Sequence, residues 1–290
     1  MIGPGVGITG PGGYIGSNLS RHLARRGVSV HPLGRAQGIR VQEPGSLDQL
    51  PKQVSTLIHL AARTGVLESW SDPEEVHRFN FLATLEAVRL ARVRGLRLVV
   101  LSSYPYGKSP ALPTDEAQPA ESMNPYSSSK ALSEQLALDS ARLLGFPVVS
   151  LRLFNVYGRE PDGYHTLPAQ IWQQIRSGGS RVEVQDALPR RDFLFIDDLC
   201  DALDRILDTA WTGSQVFNLG AGRCHSVADL VAAFGLALGR ELQLVDLGQP
   251  RPGEIPATLC DNRRFAARFA WSPRTPLQEG LRSYLESPWA

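Results

Sequence analysis

The chain has 290 residues, 42% of them apolar and 20% charged, with 27 glycines and 21 prolines, the make-up of an ordinary globular protein of one large or two small domains. Thirty basic against 29 acidic side chains leave a formal net charge of +1, so no field exists to hold nucleic acid or an anionic membrane non-specifically. The longest strongly apolar run, Leu230 to Leu238, is broken by Gly235 and falls short of the ~18 residues a membrane span needs; no basic n-region with an apolar stretch opens the chain, so a cytoplasmic location is expected.

The first half alternates short apolar β-type runs with amphipathic segments. Val6 to Thr9, Tyr14 to Arg26 and Val28 to Leu33 read as strand, helix and strand. Val54 to Ala61, Arg97 to Ser102 and Pro147 to Leu153 are continuous apolar runs, as strands buried on both faces require. Two long helices are predicted between them. One opens at Asp72-Pro73-Glu74-Glu75, with an acid cap, a first-turn proline and carboxylates against the helix dipole, and stops at Gly95. The other runs from about Pro125 to Leu144 and ends at Gly145. Strands alternating with helices predict an α/β fold with a doubly wound parallel sheet. After Asn155 the elements shorten between Pro161-Asp162-Gly163, Ser177-Gly178-Gly179, Gly220-Ala221-Gly222 and Arg251-Pro252-Gly253, and Ser226 to Asp229 has the spacing of a capping box.

The segment Ile8-Thr9-Gly10-Pro11-Gly12-Gly13-Tyr14-Ile15-Gly16-Ser17 follows a strand and opens a helix. In that context Gly10 permits a tight turn, Gly13 lets backbone N–H groups approach a pyrophosphate, and Gly16 lets helix and strand pack closely. Residues 1–155, with a return segment near 188–218, are therefore expected to form a Rossmann dinucleotide-binding domain, and residues 156–290 mainly a smaller α/β substrate domain. An acid should end the second strand if a ribose 2′-hydroxyl is to be held. Here the strand ends His31-Pro32-Leu33-Gly34-Arg35. A missing acid beside Arg35 suits a 2′-phosphate, which a guanidinium matches bidentately; Gly34 is expected to leave room for that phosphate. NADP(H) is the expected cofactor and NAD the alternative.

Cys200, Cys224 and Cys260 are odd in number and widely spaced, which argues against a disulfide framework or a zinc site and predicts buried thiols. Only Lys52, Lys108 and Lys130 are lysines, leaving 27 arginines. Lys130 stands four residues after Tyr126 in Asn124-Pro125-Tyr126-Ser127-Ser128-Ser129-Lys130, hence on the same helix face. A phenol with an ordinary pKa of about 10 becomes useful for proton transfer when a cation beside it favours the phenolate. A compact ammonium can also donate to a cofactor ribose.

On these residues the sequence resembles an extended short-chain dehydrogenase/reductase of the NAD-dependent epimerase/dehydratase kind. The likeness continues through Ile58-His59-Leu60-Ala61-Ala62, Asn80, Ser102-Ser103-Tyr104-Pro105-Tyr106-Gly107, Asn155-Val156-Tyr157-Gly158, Arg191-Asp192-Phe193 with Asp197-Asp198, Phe217-Asn218-Leu219-Gly220 and Arg251-Pro252-Gly253-Glu254. The last three groups are specific to members acting on nucleotide-linked sugars.

The resemblance implies that Tyr126 exchanges a proton with the sugar oxygen while a nicotinamide exchanges hydride with its carbon, and that Lys130 binds the nicotinamide ribose. A hydroxyl residue at the end of the family's fifth strand holds the carbonyl oxygen, a role that falls on Ser102, with Ser103 as the fallback. Cofactor contacts are implied for Thr9, Gly10, Gly12, Gly13, Tyr14, Ile15, Gly16, Leu60, Ala61, Ala62 and Asn80, besides Arg35, Tyr126 and Lys130. Asn155, Arg191 and Arg251 match positions that contact the nucleotide's phosphates or base. Pro105, Gln185-Asp186-Ala187 and Arg40 depart from the family pattern. Ser103 and Tyr104 stand where sugar dehydratases carry an acid and a base, so dehydration is not expected. The favoured expectation is an NADP(H)-dependent 4-ketoreductase of a nucleotide-diphosphate sugar in activated deoxyhexose synthesis. The alternative is a 4-epimerase of the UDP-glucose/UDP-galactose type using NAD, and a non-catalytic cofactor-binding protein ranks third. The resemblance also suggests a homodimer built on the two long helices, Asp72 to Arg94 and Pro125 to Leu144, with Phe79, Leu82, Leu85, Leu136 and Leu143 as candidate core or contact residues.

Overall fold

The computed structural model describes residues 5–104, 106–107, 111–160, 166–250 and 254–286. The chain begins β1 (Val6–Thr9), α1 (Tyr14–Arg25) and β2 (Val30–Leu33), then passes through turns to β3 (Thr56–His59) and a short helix α2 (Val66–Ser71) that the sequence did not signal. Next come α3 (Pro73–Arg94), β4 (Arg97–Ser103), α4 (Pro125–Leu144) and β5 (Val148–Leu153). Then follow β6 (Asn155–Tyr157), α5 (Leu167–Ile175), β7 (Arg181–Val184), β8 (Arg190–Phe195), α6 (Ile196–Asp208) and β9 (Ser214–Leu219). The chain continues through β10 (Cys224–Ser226), α7 (Val227–Leu238), β11 (Gln243–Asp246), α8 (Arg263–Phe269) and α9 (Leu277–Glu286).

Two compact units result. The first holds residues 1–106, 119–153 and 203–218, and the second holds 107–118, 154–202 and 219–290. The first unit is built on a six-stranded sheet of order β2-β1-β3-β4-β5-β9, in which β2, β1, β3, β4 and β5 pair in parallel. Ser102 thus sits on the fourth strand in chain order. Pro32 has no N–H to give a ladder, which β2 tolerates because it lies at the sheet edge. Strand order reverses between β1 and β3, and a doubly wound sheet opens its ligand crevice at such a point, beyond the carboxyl ends of the strands.

The predicted helix signals act as read. Asp72 Oδ1 caps α3 by accepting from the Glu75 amide at 3.1 Å, with Pro73 in the first turn and Gly95 closing the helix at φ 64°. Asn124 and Ser127 form a reciprocal capping box at the head of α4. Small residues let these helices lie close to the sheet: Ala83, Ala87 and Ala91 of α3 and Ala137 and Ala141 of α4 share a buried cluster with Leu57, Leu98, Val100 and Val148. Phe79 packs against that cluster, Leu82 and Leu136 are half-buried, and Leu85 and Leu143 are exposed.

In the second unit, β8 pairs antiparallel with β10 and parallel with β6, while β7 pairs with β11. Ser226 and Asp229 cap α7 reciprocally, as the spacing predicted. Cys200 and Cys260 are buried as expected, but Cys224 lies on β10 and is partly exposed. Asp192 has no exposed surface, and its carboxylate accepts from the amides of Ala221 at 2.6 Å, Gly222 at 2.9 Å and Cys260 at 3.0 Å. Burial nevertheless pushes it up to about 6. Replacing it by alanine removes the acceptor of the buried Cys260 amide and of the partly buried Ala221 and Gly222 amides, so Asp192→Ala should cost about 3 kcal/mol in unfolding free energy measured by urea titration, with Asp192→Asn intermediate.

Candidate active site

The predicted glycine positions meet distinct demands. Gly10 turns with φ 67°, and a Cβ there would lie 2.9 Å from Ala61 N and Cα, two residues beyond the end of β3. A Cβ on Gly16 would lie 2.2 Å from the Gly10 carbonyl, so α1 can leave β1 this closely only with glycine at 16. Gly12 faces open space. Gly13 is the N-cap of α1 and offers no side chain to its amides, and the first turn carries no acid. A phosphate-bearing ligand fits such an uncapped, unobstructed helix start. Ile15 and the backbone at Leu60 and Ala62 are partly accessible there, whereas the Tyr14 side chain is buried.

Thr9 and Asn80, both expected to touch the cofactor, are enclosed, 0% and 1% exposed. Their hydrogen bonds have a definite direction. Thr9 Oγ1 accepts from the amides of Leu60 at 3.1 Å and Ala61 at 3.2 Å, so its proton goes to His59 Nδ1 at 2.9 Å. Thr84 Oγ1 gives its proton to the Asn80 carbonyl at 2.8 Å and therefore accepts from His59 Nε2 at 3.2 Å. His59 is the neutral Nε2–H tautomer, and burial together with the Lys130 ammonium pushes it down to about 3. The Asn80 side chain accepts from the Arg63 amide at 2.7 Å and donates to Ser129 Oγ at 2.8 Å. Ser129 in turn donates to the backbone carbonyl of Tyr126 at 2.7 Å. From sequence, His59 and Ser129 stand in the quoted motifs without a role and Thr84 carries no signal; the one available for His59 is an imidazole at the end of an apolar strand, before Leu60-Ala61-Ala62.

Tyr126 is half-buried and Lys130 buried, one turn apart at the head of α4. The Ser103 hydroxyl bonds the phenol in the sense that favours the phenolate, but burial dominates and pushes Tyr126 up to about 12. Burial pushes Lys130 down to about 8, against the opposing field of Glu134. Desolvation sets the direction of the phenol's shift with only Ser103 opposing it, and the expected lowering by the Lys130 cation is not among its causes. Ser102 is 4% exposed, and its hydroxyl has no hydrogen-bond partner among the described residues, an uncommon state for a buried polar atom and one a bound carbonyl oxygen would relieve. The third turn of α4 is anchored by Glu134, which accepts from Ser150 at 2.8 Å and from Arg152 Nε at 2.9 Å. Arg152 also donates to the Tyr106 hydroxyl at 2.8 Å.

At the end of β2, Arg35 is exposed, and its guanidinium makes no hydrogen bond or ion pair with the described residues. Gly34 does not hold vacant space on every side, because the Pro11 ring fills one side of it. In the second unit, the Asn155 amide oxygen is buried without a partner among the described residues. Arg191 is ion-paired with Glu254 and donates to the Ile255 carbonyl at 2.7 Å. Arg251 lies outside the described residues. Among the described residues no cluster of His, Cys, Asp or Glu could hold a metal ion, and no helix is long and apolar enough to cross a membrane.

A pH test isolates His59. Unfolded histidine takes up a proton below about 6.5, while folded His59 stays neutral down to about 3. Its contribution to stability is therefore complete above pH 6.5 and is lost as the pH falls through this window, by up to about 1.4 kcal/mol per unit. His59→Gln should flatten the pH dependence of unfolding free energy between pH 6.5 and 4.5 relative to the parent, measured by urea titration.

Residues 6–220 match the NAD dependent epimerase/dehydratase family. Over 96% of both chains, the sequence is 29% identical to the UDP-glucose 4-epimerase of Mycolicibacterium smegmatis. It is likewise 29% identical to the GDP-6-deoxy-D-mannose reductase of Pseudomonas aeruginosa, over 97% of this chain and 96% of the relative. The structure of RMD from Pseudomonas aeruginosa complexed with NADPH superposes with a TM-score of 0.86 at 27% identity, over 97% of each chain. With the glycine turn, the Tyr126–Lys130 pair and this match over most of its length, the chain belongs to the NAD dependent epimerase/dehydratase family.

Proposed function

We propose that the protein is an NADP(H)-dependent reductase of a 4-keto nucleotide-diphosphate sugar. The observation that carries the reading is the end of β2, where Gly34 replaces the acid that would hold a 2′-hydroxyl and Arg35 offers an uncommitted guanidinium to a 2′-phosphate. The equal 29% identities to an epimerase and to a reductase do not choose between the two reactions, so the choice rests on this chain's own residues. A UDP-glucose 4-epimerase using NAD is the second reading, favoured by the family's NAD-dependent description and by the epimerase relative.

A bound nicotinamide would supply the hydride. The α1 start around Gly12 and Gly13 holds the pyrophosphate, Lys130 holds the nicotinamide ribose, and Thr9 and Asn80 act indirectly by fixing the backbone around them. Ser102 donates its unshared hydroxyl proton to the carbonyl oxygen. Tyr126, kept protonated at neutral pH by burial, donates the proton that the reduced oxygen requires, and Ser103 steadies the phenol. Asn155, Arg191 and Arg251 bind the nucleotide end of the substrate. With no carboxyl at Ser103 or Tyr104, water elimination has no acid–base pair. The exposed Leu85 of α3 and Leu143 of α4, with the exposed Phe81 and Leu132 of the same helices, form the contact between two copies of the chain.

Tyr126→Phe should lower kcat by about 10² to 10⁴ while NADPH affinity changes little; near-full activity would remove the catalytic assignment. Remote binding energy from the nucleotide positions the reacting carbon, so the free 4-keto sugar should show a kcat/KM lower by roughly 10³ or more. Light scattering at micromolar concentration should give twice the chain mass, and Leu85→Glu with Leu143→Glu should give the single-chain mass without loss of fold.

A further inference from the structure

We infer that Pro11 is a determinant of dinucleotide choice: its ring occupies the space that any side chain at position 34 would need, so this chain cannot carry the acid that selects a 2′-hydroxyl. The inference deepens the NADP(H) reading and rests on it for the identity of the favoured cofactor.

Glycine at 34 is not required by its backbone, since φ −165° and ψ −174° are extended values open to any residue. Space decides instead. A Cβ on Gly34 would lie 2.9 Å from Pro11 Cδ and 3.3 Å from Pro11 Cγ, and a pyrrolidine ring has no rotamer into which it can withdraw. Neither backbone can retreat. On the far side of Pro11, its Cα would be 2.9 Å from a Cβ on Gly16, so α1 already packs against it. Gly10 before it abuts Ala61, and the Gly13 amide closes the turn on the Gly10 carbonyl at 3.2 Å. On the β2 side, the Leu33 carbonyl accepts from the Gly10 amide at 3.2 Å. The Gly34 carbonyl accepts from the amides of Gln37 at 2.9 Å and Ile39 at 3.1 Å. Position 34 is held against the ring from both directions.

Two devices then act on one ligand feature. Arg35 attracts a 2′-phosphate, and Pro11 blocks the carboxylate that would attract a 2′-hydroxyl and repel the phosphate. Selectivity built from an attraction and an exclusion resists single substitutions. An acid placed at 34 meets the ring, and the ring's removal alone supplies no acid.

Dissociation constants for NADPH and NADH, measured by calorimetry on the purified full chain without sugar substrate, together with thermal midpoints, test this. Gly34→Asp alone should weaken both dinucleotides at least tenfold and lower the midpoint by about 3 °C or more. Gly34→Asp combined with Pro11→Ala should bind NADH at least tenfold more tightly than Gly34→Asp alone, prefer NADH over NADPH, and recover the midpoint. Gly34→Asp binding NADH as tightly as the double variant would overturn the inference. Should Gly34→Asp not fold, Gly34→Ala carries the Cβ alone: it should lower the midpoint with Pro11 present and not beside Pro11→Ala, and equal shifts in both backgrounds would overturn the inference. Parent protein that binds NADPH no more tightly than NADH refutes the Arg35 reading, whereas the role of Pro11 is still decided by the NADH ratio of the two Gly34→Asp proteins.

Discussion

A run of hydrogen bonds with one permitted direction links the end of β1 to the head of α4. Thr9 gives its proton to His59, His59 to Thr84, and Thr84 to the Asn80 carbonyl, while the Asn80 amide continues through Ser129 to the backbone of Tyr126. Every member is buried or nearly so, and an unpaired polar group at such depth costs about 1–3 kcal/mol. The run therefore holds together two strands and two helices whose apolar packing alone would permit small slips. Its centre must stay neutral, because a protonated His59 would need a second acceptor where Thr9 presents its proton and would face the Lys130 ammonium.

Around that frame, the dinucleotide loop is shaped by contacts that leave no room for a methyl group. Gly16 lets α1 leave β1 against the Gly10 carbonyl, Gly10 lets the turn touch Ala61, and Gly34 lets the end of β2 meet the Pro11 ring. These positions use the small size of glycine, and only Gly10 also uses its left-handed backbone. Burial also acts at the head of α4. It raises the Tyr126 phenol and lowers the Lys130 ammonium, so the phenol is protonated at neutral pH, as the proposed reduction of a carbonyl requires.

The fold was legible because its signals are local. Capping at Asp72 and the stops at Gly95 and Gly145 bound the long helices within a residue of expectation, and buried strands announce themselves as apolar runs. The site was legible in residue type more than in role. Tyr126, Lys130 and Ser102 stand where an i, i+4 pair and a strand end put them, but Thr9 and Asn80 turned out to be enclosed, a distinction that depends on tertiary neighbours and not on spacing. The direction of the phenol's shift was misjudged for the same reason, since a cation beside a group is visible in sequence while the depth of burial is not. Gly34 reads from sequence as an absent acid; only the path of the chain brings Pro11 against it.

The most direct measurement is the loss of NADPH absorbance on mixing the purified protein with NADPH and a 4-keto nucleotide-diphosphate sugar. A 4-ketoreductase should oxidise NADPH stoichiometrically with formation of the corresponding 4-hydroxy nucleotide sugar, and turn over much more slowly with NADH; that is the assignment at stake. Protein that leaves NADPH unchanged yet interconverts UDP-glucose and UDP-galactose on retained NAD would contradict it.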